Sequence, residues 1–287
     1  MKKVVLFLSI LIFSCSVQAG KIFKVGIPYY SHKSARLISA PTYYFRSVAS
    51  GFWNVTGTWE SSPDNTNWFA ATSTPTTAAR KISIRNGHFV NINSNLDIDQ
   101  VIIESGGTLS HLGSLLTIYD DPLGDDVIVE SGGTFTLASA SNPPLFNVPT
   151  ATVNINTGGI LRVSATSLTS AIVGLNANNY IYQHASVLEY TPGLAFSSDG
   201  VTYFPNVNAA TIPIFRTTNN LGLIGGSGST IFNGVFEANG TITFQNNGTK
   251  IFRNGITGTG NITSNPASGK FIINGTTASL GGNGSLT

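Results

Sequence analysis

Four of the 13 acidic residues lie in one short stretch, where Asp120, Asp121, Asp125 and Asp126 surround a proline and a glycine. Carboxylates clustered on a loop are the ligands that calcium prefers. The spacing matches neither the EF-hand loop nor the glycine- and aspartate-rich nonapeptide repeat, so a solvated turn is favoured and a calcium site is the alternative. Calcium is the one ion to which the sequence points, and no other cofactor is expected.

The tryptophans form a second candidate site. Trp53, Trp59 and Trp68 all lie between residues 51 and 77. Exposed tryptophans offer flat apolar faces on which sugar rings can stack. The open end of a β-solenoid, however, has unpaired strand edges that large aromatic side chains can cover. The sequence favours an N-terminal aromatic cap, with carbohydrate binding at the three tryptophans as the alternative.

Two glutamates and two histidines are further candidates for chemistry. Glu104 and Glu130 occupy the same position in successive repeats, and in-register stacking would place their carboxylates about 5 Å apart, as in retaining glycosidases. The third repeat has Asn156 there. His111 aligns with core positions, and His88 follows a turn without a partner in sequence. With no nucleophile elbow, zinc spacing or phosphate loop, a non-catalytic protein is favoured over a β-helix polysaccharide lyase or glycoside hydrolase.

These residues lie on or beside a repeated sequence motif. It reads VIIESGGTL from Val101, VIVESGGTF from Val127 and VNINTGGIL from Val153, so the copies start at equal intervals. A fixed period, here about 26 residues, indicates a solenoid in which each repeat stacks on the last. The paired glycines allow the positive φ that a tight turn requires. These turn glycines are Gly106, Gly107, Gly132, Gly133, Gly158 and Gly159.

Alternating apolar residues predict three short strands in each repeat. In the motif itself Val101 and Ile103 face inward, and Leu109 follows the glycine pair on a second strand. A third strand, such as Leu116–Ile118, precedes the next copy. The prediction is an all-β fold, a right-handed parallel β-helix with 26-residue coils over residues 81–195 and an N-terminal aromatic cap.

The period of the repeat changes after the third copy. His184–Tyr190 resembles another motif strand, but its Val187 lies further beyond Val153 than the regular step allows, which predicts an irregular coil. Within residues 196–287 an irregular segment precedes IFNG, IFRNG and FIING, which end at Gly234, Gly255 and Gly275. We expect shorter coils here, of about 20–21 residues, which continue beyond the end of the chain.

The N-terminal residues predict export. Lys2 and Lys3 precede an apolar run, and a small-residue site ends at Ala19, so residues 1–19 are interpreted as a secretory signal peptide. Lipoprotein anchoring at Cys15, the one cysteine, is the alternative. Residues 20–80 are interpreted as a leader followed by the tryptophan-rich cap. No later run is long enough to be a transmembrane segment.

Composition agrees with a protein outside the cell. Charged residues are 10% of the chain, against about 25% in ordinary soluble domains. The net charge of +2 gives no basic patch that favours nucleic acid. The partners expected from the sequence are glycans, a host or neighbouring cell surface, and further coils of the same chain.

The motifs between residues 51 and 165 resemble those of secreted surface proteins of Bacteroidetes-type bacteria. The shared order is Gly51-Phe52-Trp53, Thr58-Trp59, Pro75-Thr76, Ile82-Ser83-Ile84, Asn86-Gly87-His88 and the repeated ESGG. The resemblance implies an adhesin-like β-helix repeat protein at the cell surface, often exported by the type IX route. The sorting domain that usually accompanies this route is not visible in the sequence.

Overall fold

A computed structural model describes residues 43–121, 124–138, 143–164, 179–191, 196–197, 213–218, 221–224, 230–244, 248–264 and 270–273. All of these belong to a compact unit formed by Ile38–Thr287. The predicted signal peptide, Cys15 and the leader up to residue 42 lie outside the described residues. Within the described residues there are β-strands and one 3₁₀ turn, Thr56–Thr58, but no α-helix.

The strands are short, as the alternation of apolar residues predicts. In chain order they are β1 Tyr44–Ser47, β2 Gly51–Phe52, β3 Trp59–Ser62, β4 Phe69–Ala70, β5 Lys81–Ile84, β6 Phe89–Ile92, β7 Leu96–Ile98, β8 Val101–Ile103, β9 Thr108–His111, β10 Leu116–Ile118, β11 Val127–Val129, β12 Thr134–Leu137, β13 Leu145–Phe146, β14 Val153–Ile155, β15 Ile160–Val163, β16 Tyr180–Tyr182, β17 Val187–Tyr190, β18 Phe196–Ser197, β19 Ile214–Thr217, β20 Leu221–Ile224, β21 Thr230–Phe232, β22 Phe236–Ala238, β23 Ile242–Phe244, β24 Lys250–Phe252, β25 Ile256–Thr257, β26 Ile262–Ser264 and β27 Phe271–Ile273.

The strands assemble into long parallel sheets. The first sheet has the order β16-β14-β11-β8-β5-β1-β3-β4, in which only the β1–β3 and β3–β4 pairs are antiparallel. The second sheet has nine parallel strands, β2-β6-β9-β12-β15-β17-β19-β22-β25. The third, fourth and fifth sheets are β13-β10-β7, β18-β20-β23-β26 and β21-β24-β27. The prediction of an all-β chain is confirmed.

Equivalent residues of the repeated sequence motif lie side by side. Val127 pairs with Val101 on one side and with Val153 on the other, so the predicted register of the three copies is confirmed. The preceding pair joins Ile82 to Val101, which is a shorter step along the chain. The sheets therefore accommodate steps of different length, because the extra residues fall in the turns.

The turn glycines have the geometry for which they were singled out. Gly106, Gly132 and Gly158 have φ of 76°, 79° and 76°. The second glycine of each pair is required for a different reason. A Cβ on Gly159 would lie 2.5 Å from the carbonyl oxygen of Val129 on the neighbouring strand. The pair is thus needed for both a left-handed backbone and a close approach to the neighbouring strand.

Val187 is not the counterpart of Val153 that the comparison of the motif strands predicts, so this prediction is wrong. Val187 pairs with Ile160 in the second sheet, whereas Val153 pairs with Tyr180 in the first sheet. Both steps are close in length to those between the motif copies, so the repeat continues almost unchanged. The repeat is hard to see because Ala185, with φ 56°, occupies the turn position that Gly158 holds one coil earlier.

The hydrophobic core follows from the alternation. On the motif strands the first and third residues are buried, for example Val101 and Ile103, both 0% exposed. From β19 onwards aromatic side chains replace the aliphatic ones, and Phe232 and Phe252 stack with ring centroids 4.9 Å apart. The shorter steps predicted there are confirmed, since Phe236 pairs with both Phe215 and Ile256, which are nearer in the chain than partners on the motif strands.

Candidate functional site

A cleft of about 180 Å³ opens on the outer side of the first sheet, close to the first described residues. Its lining combines aromatic, basic and hydrogen-bonding side chains. We call it the first-sheet cleft, and it is lined by Tyr44, Phe45, Arg46, Asn65, Trp68, Lys81, Ser83, Arg85 and Glu104.

Strand alternation and register bring the lining residues together. On β1 the side chain of Phe45 is buried, so Tyr44 and Arg46 lie on the opposite face. In the parallel pair with β5, Tyr44 is opposite Lys81 and Arg46 is opposite Ser83. Residues far apart in the chain thus form one surface.

The antiparallel strands β3 and β4 supply the aromatic wall. Trp68 directly precedes β4, and the guanidinium carbon of Arg46 lies 4.1 Å from the centre of its ring. Arg46 also forms an ion pair with Glu60 on β3, with nitrogen and oxygen 2.8 Å apart. The cation–π contact and the ion pair together hold one wall of the cleft in place before any ligand arrives.

The cleft has an excess of positive charge. Arg46, Lys81 and Arg85 line it, against one carboxylate, Glu104. Arg46 is neutralised by Glu60, but Lys81 and Arg85 form no ion pair within the described part of the chain. Two cations beside an aromatic ring can bind an anionic group and a flat apolar face at the same time.

The three tryptophans have different environments. Trp53 and Trp59 are 2% and 1% exposed, and their rings form an edge-to-face pair with centroids 4.9 Å apart. Their indole nitrogens donate to the carbonyl oxygens of Pro75 and Trp53 at 3.1 and 2.8 Å. The alternative interpretation, carbohydrate binding at Trp53 and Trp59, is wrong, because no sugar ring can reach a buried face; their burial agrees with the favoured interpretation, an aromatic cap. Trp68 alone lies in the cleft.

Sequence reasoning did not find the basic side of this cleft. Lys81 and Arg85 sit on or beside the strand that the alternation predicts, and nothing in their spacing marks them as a site. The sequence indicates a basic surface here only indirectly. Lys81 and Arg85 alternate with apolar residues, and the next acidic residue after them is Asp97. Their proximity to Trp68 depends on the β1–β3–β4 pairing, which the repeat does not predict.

The predicted metal ligands divide into two groups. Asp125 is exposed, whereas Asp126 is 2% exposed and its Oδ2 accepts from the backbone N–H of Thr152 at 2.6 Å. Asp120 accepts a hydrogen bond from the Thr150 hydroxyl, and Asp121 accepts from the Gln100 side chain at 2.6 Å. The cluster is thus partly internal, and the expectation of a fully solvated turn is wrong for Asp126.

A fifth aspartate, missed by sequence reasoning, joins this cluster. Asp99 is 1% exposed and is separated from the motif strand β8 by Gln100, whereas Asp126 directly precedes β11. Burial, and then the carboxylates of Asp121, Asp126 and Asp120, raise the pKa of Asp99 to about 8. Burial also raises the pKa of Asp126 to about 6. We call Asp99, Gln100, Asp120, Asp121 and Asp126 the aspartate corner.

The aspartate corner does not contain a ready-made cage of acidic ligands. Within the described residues, no three His, Cys, Asp or Glu side chains form a group that could hold a metal ion as they stand. Two of its carboxylates, those of Asp120 and Asp121, are already engaged by Thr150 and Gln100. A cation here would therefore need other ligands in addition to carboxylates.

The remaining candidates are explained by structure. Glu104 and Glu130 follow paired residues of β8 and β11, as predicted, and Glu104 alone lines the cleft. His111 is fully buried, as predicted; its Nε2 donates to the Ser114 carbonyl oxygen at 2.6 Å, and burial lowers the pKa of the imidazole. His88 lies 2.8 Å from the hydroxyl of Ser47 through Nδ1.

A row of ion pairs crosses the second sheet. Glu189 lies between Arg162 and Arg216, at 2.5 and 3.6 Å, and Arg216 also contacts Glu237 at 2.9 Å. The four residues are direct neighbours on β15, β17, β19 and β22. They join four successive strands of the second sheet, and this row is visible only once the steps between those strands are known.

No protein-family model, curated protein or solved structure matches the chain. Among the described residues, no helix has the length and apolar character needed to span a membrane.

Proposed function

We propose that the chain is an exported, non-catalytic, right-handed parallel β-helix at the bacterial cell surface, which binds acidic glycans in the first-sheet cleft. The fold supports this proposal: from β5 to β12 the strands are distributed among the first, second and third sheets coil by coil. Crossovers between parallel strands are nearly always right-handed. The signal-like residues 1–19 and the low content of charge support a place outside the cell.

The observation that carries the proposed function is the composition of the first-sheet cleft. Trp68 and Tyr44 provide apolar ring faces, and Lys81 and Arg85 provide cations without an ion-pair partner in the described structure. A sugar ring presents an apolar face to an aromatic side chain, while its hydroxyls suit Asn65 and Ser83. The chemistry that recruits both basic residues is a carboxylate or sulfate on the sugar.

Electrostatics decides between an acidic and a neutral glycan. Lys and Arg side chains lose conformational entropy when they bind a ligand. A hydrogen bond to a neutral hydroxyl stabilises the complex by only about 1 kcal/mol. Hydrogen bonds to a charged group contribute about 1.5–3 kcal/mol. Two such contacts, from Lys81 and Arg85, are enough to favour a uronic acid or sulfated unit over its neutral counterpart.

The binding test compares polygalacturonate, a linear acidic polysaccharide, with neutral dextran by isothermal titration calorimetry. We expect binding of polygalacturonate only, weakened at least tenfold by Trp68→Ala or Arg85→Ala and weakened further by added salt. Trp68→Phe keeps an aromatic face and should be affected less. Arg253→Ala is the matched control, because Arg253 is an exposed arginine outside the cleft. Equal binding of the two polysaccharides, or unchanged affinity in Trp68→Ala and Arg85→Ala, would refute the proposal.

A polysaccharide-degrading enzyme is the competing function, and Glu104 is the observation that favours it. This carboxylate lies in the cleft among basic side chains, and Glu130 follows on the next coil. The same polysaccharides are therefore incubated with the protein, and released reducing ends and unsaturated products are measured. We expect no turnover. Depolymerisation that disappears in both Glu104→Ala and Glu130→Ala would show that the protein is an enzyme.

A further inference from the structure

The aspartate corner contains buried oxygen atoms that lack any hydrogen-bond partner. These are Oδ1 of Asp99, Oδ1 of Asp126 and Oε1 of Gln100. Asp99, Asp126 and Gln100 are 1%, 2% and 7% exposed. A buried oxygen without a partner costs free energy, and the cost is greater for a charged group than for a neutral one. The fold tolerates three of them at one corner.

Strand pairing places the three residues that carry these atoms near one another. The backbone N–H of Val101 donates to the carbonyl oxygen of Asp126 at 2.8 Å. Gln100 and Asp126 therefore occupy the same position, directly before the motif strand, on adjacent coils. Such neighbours lie about 4.8 Å apart along the sheet. Asp99 is next to Gln100 in the chain and close enough to Asp126 for their charges to interact.

When both carboxylates are ionised, all three unpartnered atoms are acceptors, so only a proton donor or a cation can satisfy them. Within the described residues, neither Asp99 nor Asp126 forms an ion pair with a Lys or Arg side chain. Asp120 and Asp121 add two more negative charges to the same corner. The missing component is positive charge.

We propose that the aspartate corner binds a divalent cation, Ca²⁺, through the carboxylates of Asp99 and Asp126 and the amide oxygen of Gln100. A ligand set of two carboxylates and an amide does not require a group of three acidic or histidine ligands, and no such group is present among the described residues. Water completes the shell, and Asp120 and Asp121 contribute charge without direct contact because Thr150 and Gln100 hold them. Ca²⁺ accepts such a mixed, irregular set of oxygen ligands, whereas Mg²⁺ demands near-octahedral geometry.

A cation here would join two coils, since Asp99 and Gln100 belong to one and Asp126 to the next. The site lies between the third and first sheets, on the turns that lead from β7 to β8 and from β10 to β11. Its predicted role is to hold these turns together where like charges otherwise repel. This inference is independent of the glycan proposal, because the first-sheet cleft contains no residue of the aspartate corner.

The test measures thermal unfolding of the purified protein at pH 7.5 in EDTA, in CaCl₂ and in MgCl₂. A ligand at one hundred times its dissociation constant should raise Tm by roughly 5–10 °C for a domain of this size. We expect this increase with CaCl₂, little change with MgCl₂, and loss of the CaCl₂ effect in Asp99→Asn and Asp126→Asn. Asp97→Asn is the matched control, because Asp97 is an exposed carboxylate on the strand just before Asp99.

Asparagine keeps the volume of the protonated acid, so both corner variants should fold in EDTA; Gln100→Ala provides a third variant that keeps all carboxylates. Calorimetric titration with CaCl₂ gives the direct binding readout for each. An absence of binding at millimolar CaCl₂, or an equal rise in Tm in wild type and all variants, would overturn the proposal. At pH 5.5 the wild-type CaCl₂ effect should shrink, because protons compete for both carboxylates.

Discussion

The turn position shared by Gly158 and Ala185 gives the sharpest test of the register between coils. Ala185 has φ 56° in a turn where the preceding coil has glycine at φ 76°. The left-handed conformation costs a residue with a Cβ about 1–2 kcal/mol relative to glycine. Replacement of alanine by glycine removes this strain, but it also lowers the free energy of unfolding by about 0.4–1 kcal/mol because the unfolded chain gains conformational entropy.

Ala185→Gly should therefore increase the free energy of unfolding by about 0.5–1 kcal/mol, which corresponds to a rise in Tm of roughly 1–4 °C. The gain is small because the two effects oppose each other. Its sign is nevertheless unusual, since glycine substitutions within regular structure normally destabilise. Urea denaturation followed by circular dichroism measures the change, with equal slopes required for a valid comparison.

The reverse substitutions in the preceding coil should destabilise. In Gly158→Ala the new Cβ would meet Ser131 Oγ at 2.6 Å, a side chain that can move, so the main cost is the backbone strain. In Gly159→Ala it would lie 2.5 Å from the Val129 carbonyl oxygen, which cannot move without breaking the sheet. We expect losses of about 1 kcal/mol for Gly158→Ala and at least about 2 kcal/mol for Gly159→Ala.

A decrease in stability of Ala185→Gly would refute the reasoning, because it would mean that Ala185 does not hold the left-handed position. An equal loss in Gly158→Ala and Gly159→Ala would also contradict it. In that case the close approach of the backbone of adjacent coils would have no influence, and the turn would be governed by φ alone. Gly57→Ala is a control, because no atom lies within 4 Å of the new Cβ.

Two further predictions concern buried charges. The pKa values of Asp99 and Asp126, raised to about 8 and 6, mean that the folded state holds protons that the unfolded state releases near pH 4. In EDTA the free energy of unfolding should therefore fall as pH rises from 4 to 8. Urea titrations at several pH values measure this dependence, which should be weaker in Asp99→Asn. A free energy of unfolding that rises with pH would contradict the prediction. Glu189→Gln should lower the free energy of unfolding by about 1–3 kcal/mol, because this nearly buried carboxylate lies between two arginines. Glu237→Gln, at the more exposed end of the row, should lower it by less than about 1 kcal/mol. Thermal unfolding measures both variants, and equal losses would show that the burial of Glu189 is irrelevant.

The parallel stacking of strands was predictable from the sequence for a physical reason. Side chains on a strand alternate between two faces, and identical steps place identical residues side by side, so Val101, Val127 and Val153 reveal the register by themselves. The glycine pairs mark the turns because few other residues tolerate their geometry. The same logic failed at Ala185, where a residue with a Cβ adopts the turn and the repeat becomes invisible to a search for glycine.

The candidate sites could be predicted only in part. The sequence marks Trp68 and Asp126 by residue type, but it gives the same marking to Trp53, Trp59 and Asp125, which the fold places elsewhere. A tryptophan in a segment without a repeat can face the core or the solvent, and only the antiparallel pairing of β3 and β4 decides between them. Lys81 and Arg85 gain significance from neighbours that are distant in sequence.

The sequence alone thus determined the all-β character, the spacing of the parallel strands and the turn positions, because these depend on local alternation and on glycine. The tertiary structure decided which side chains meet. Asp99 joins Asp126 because steps of unequal length along the chain still align the motif strands, and Arg46 reaches Trp68 because β1 pairs with both β3 and β5. Contacts between coils depend on the length of every turn between them, and those lengths obey no local rule.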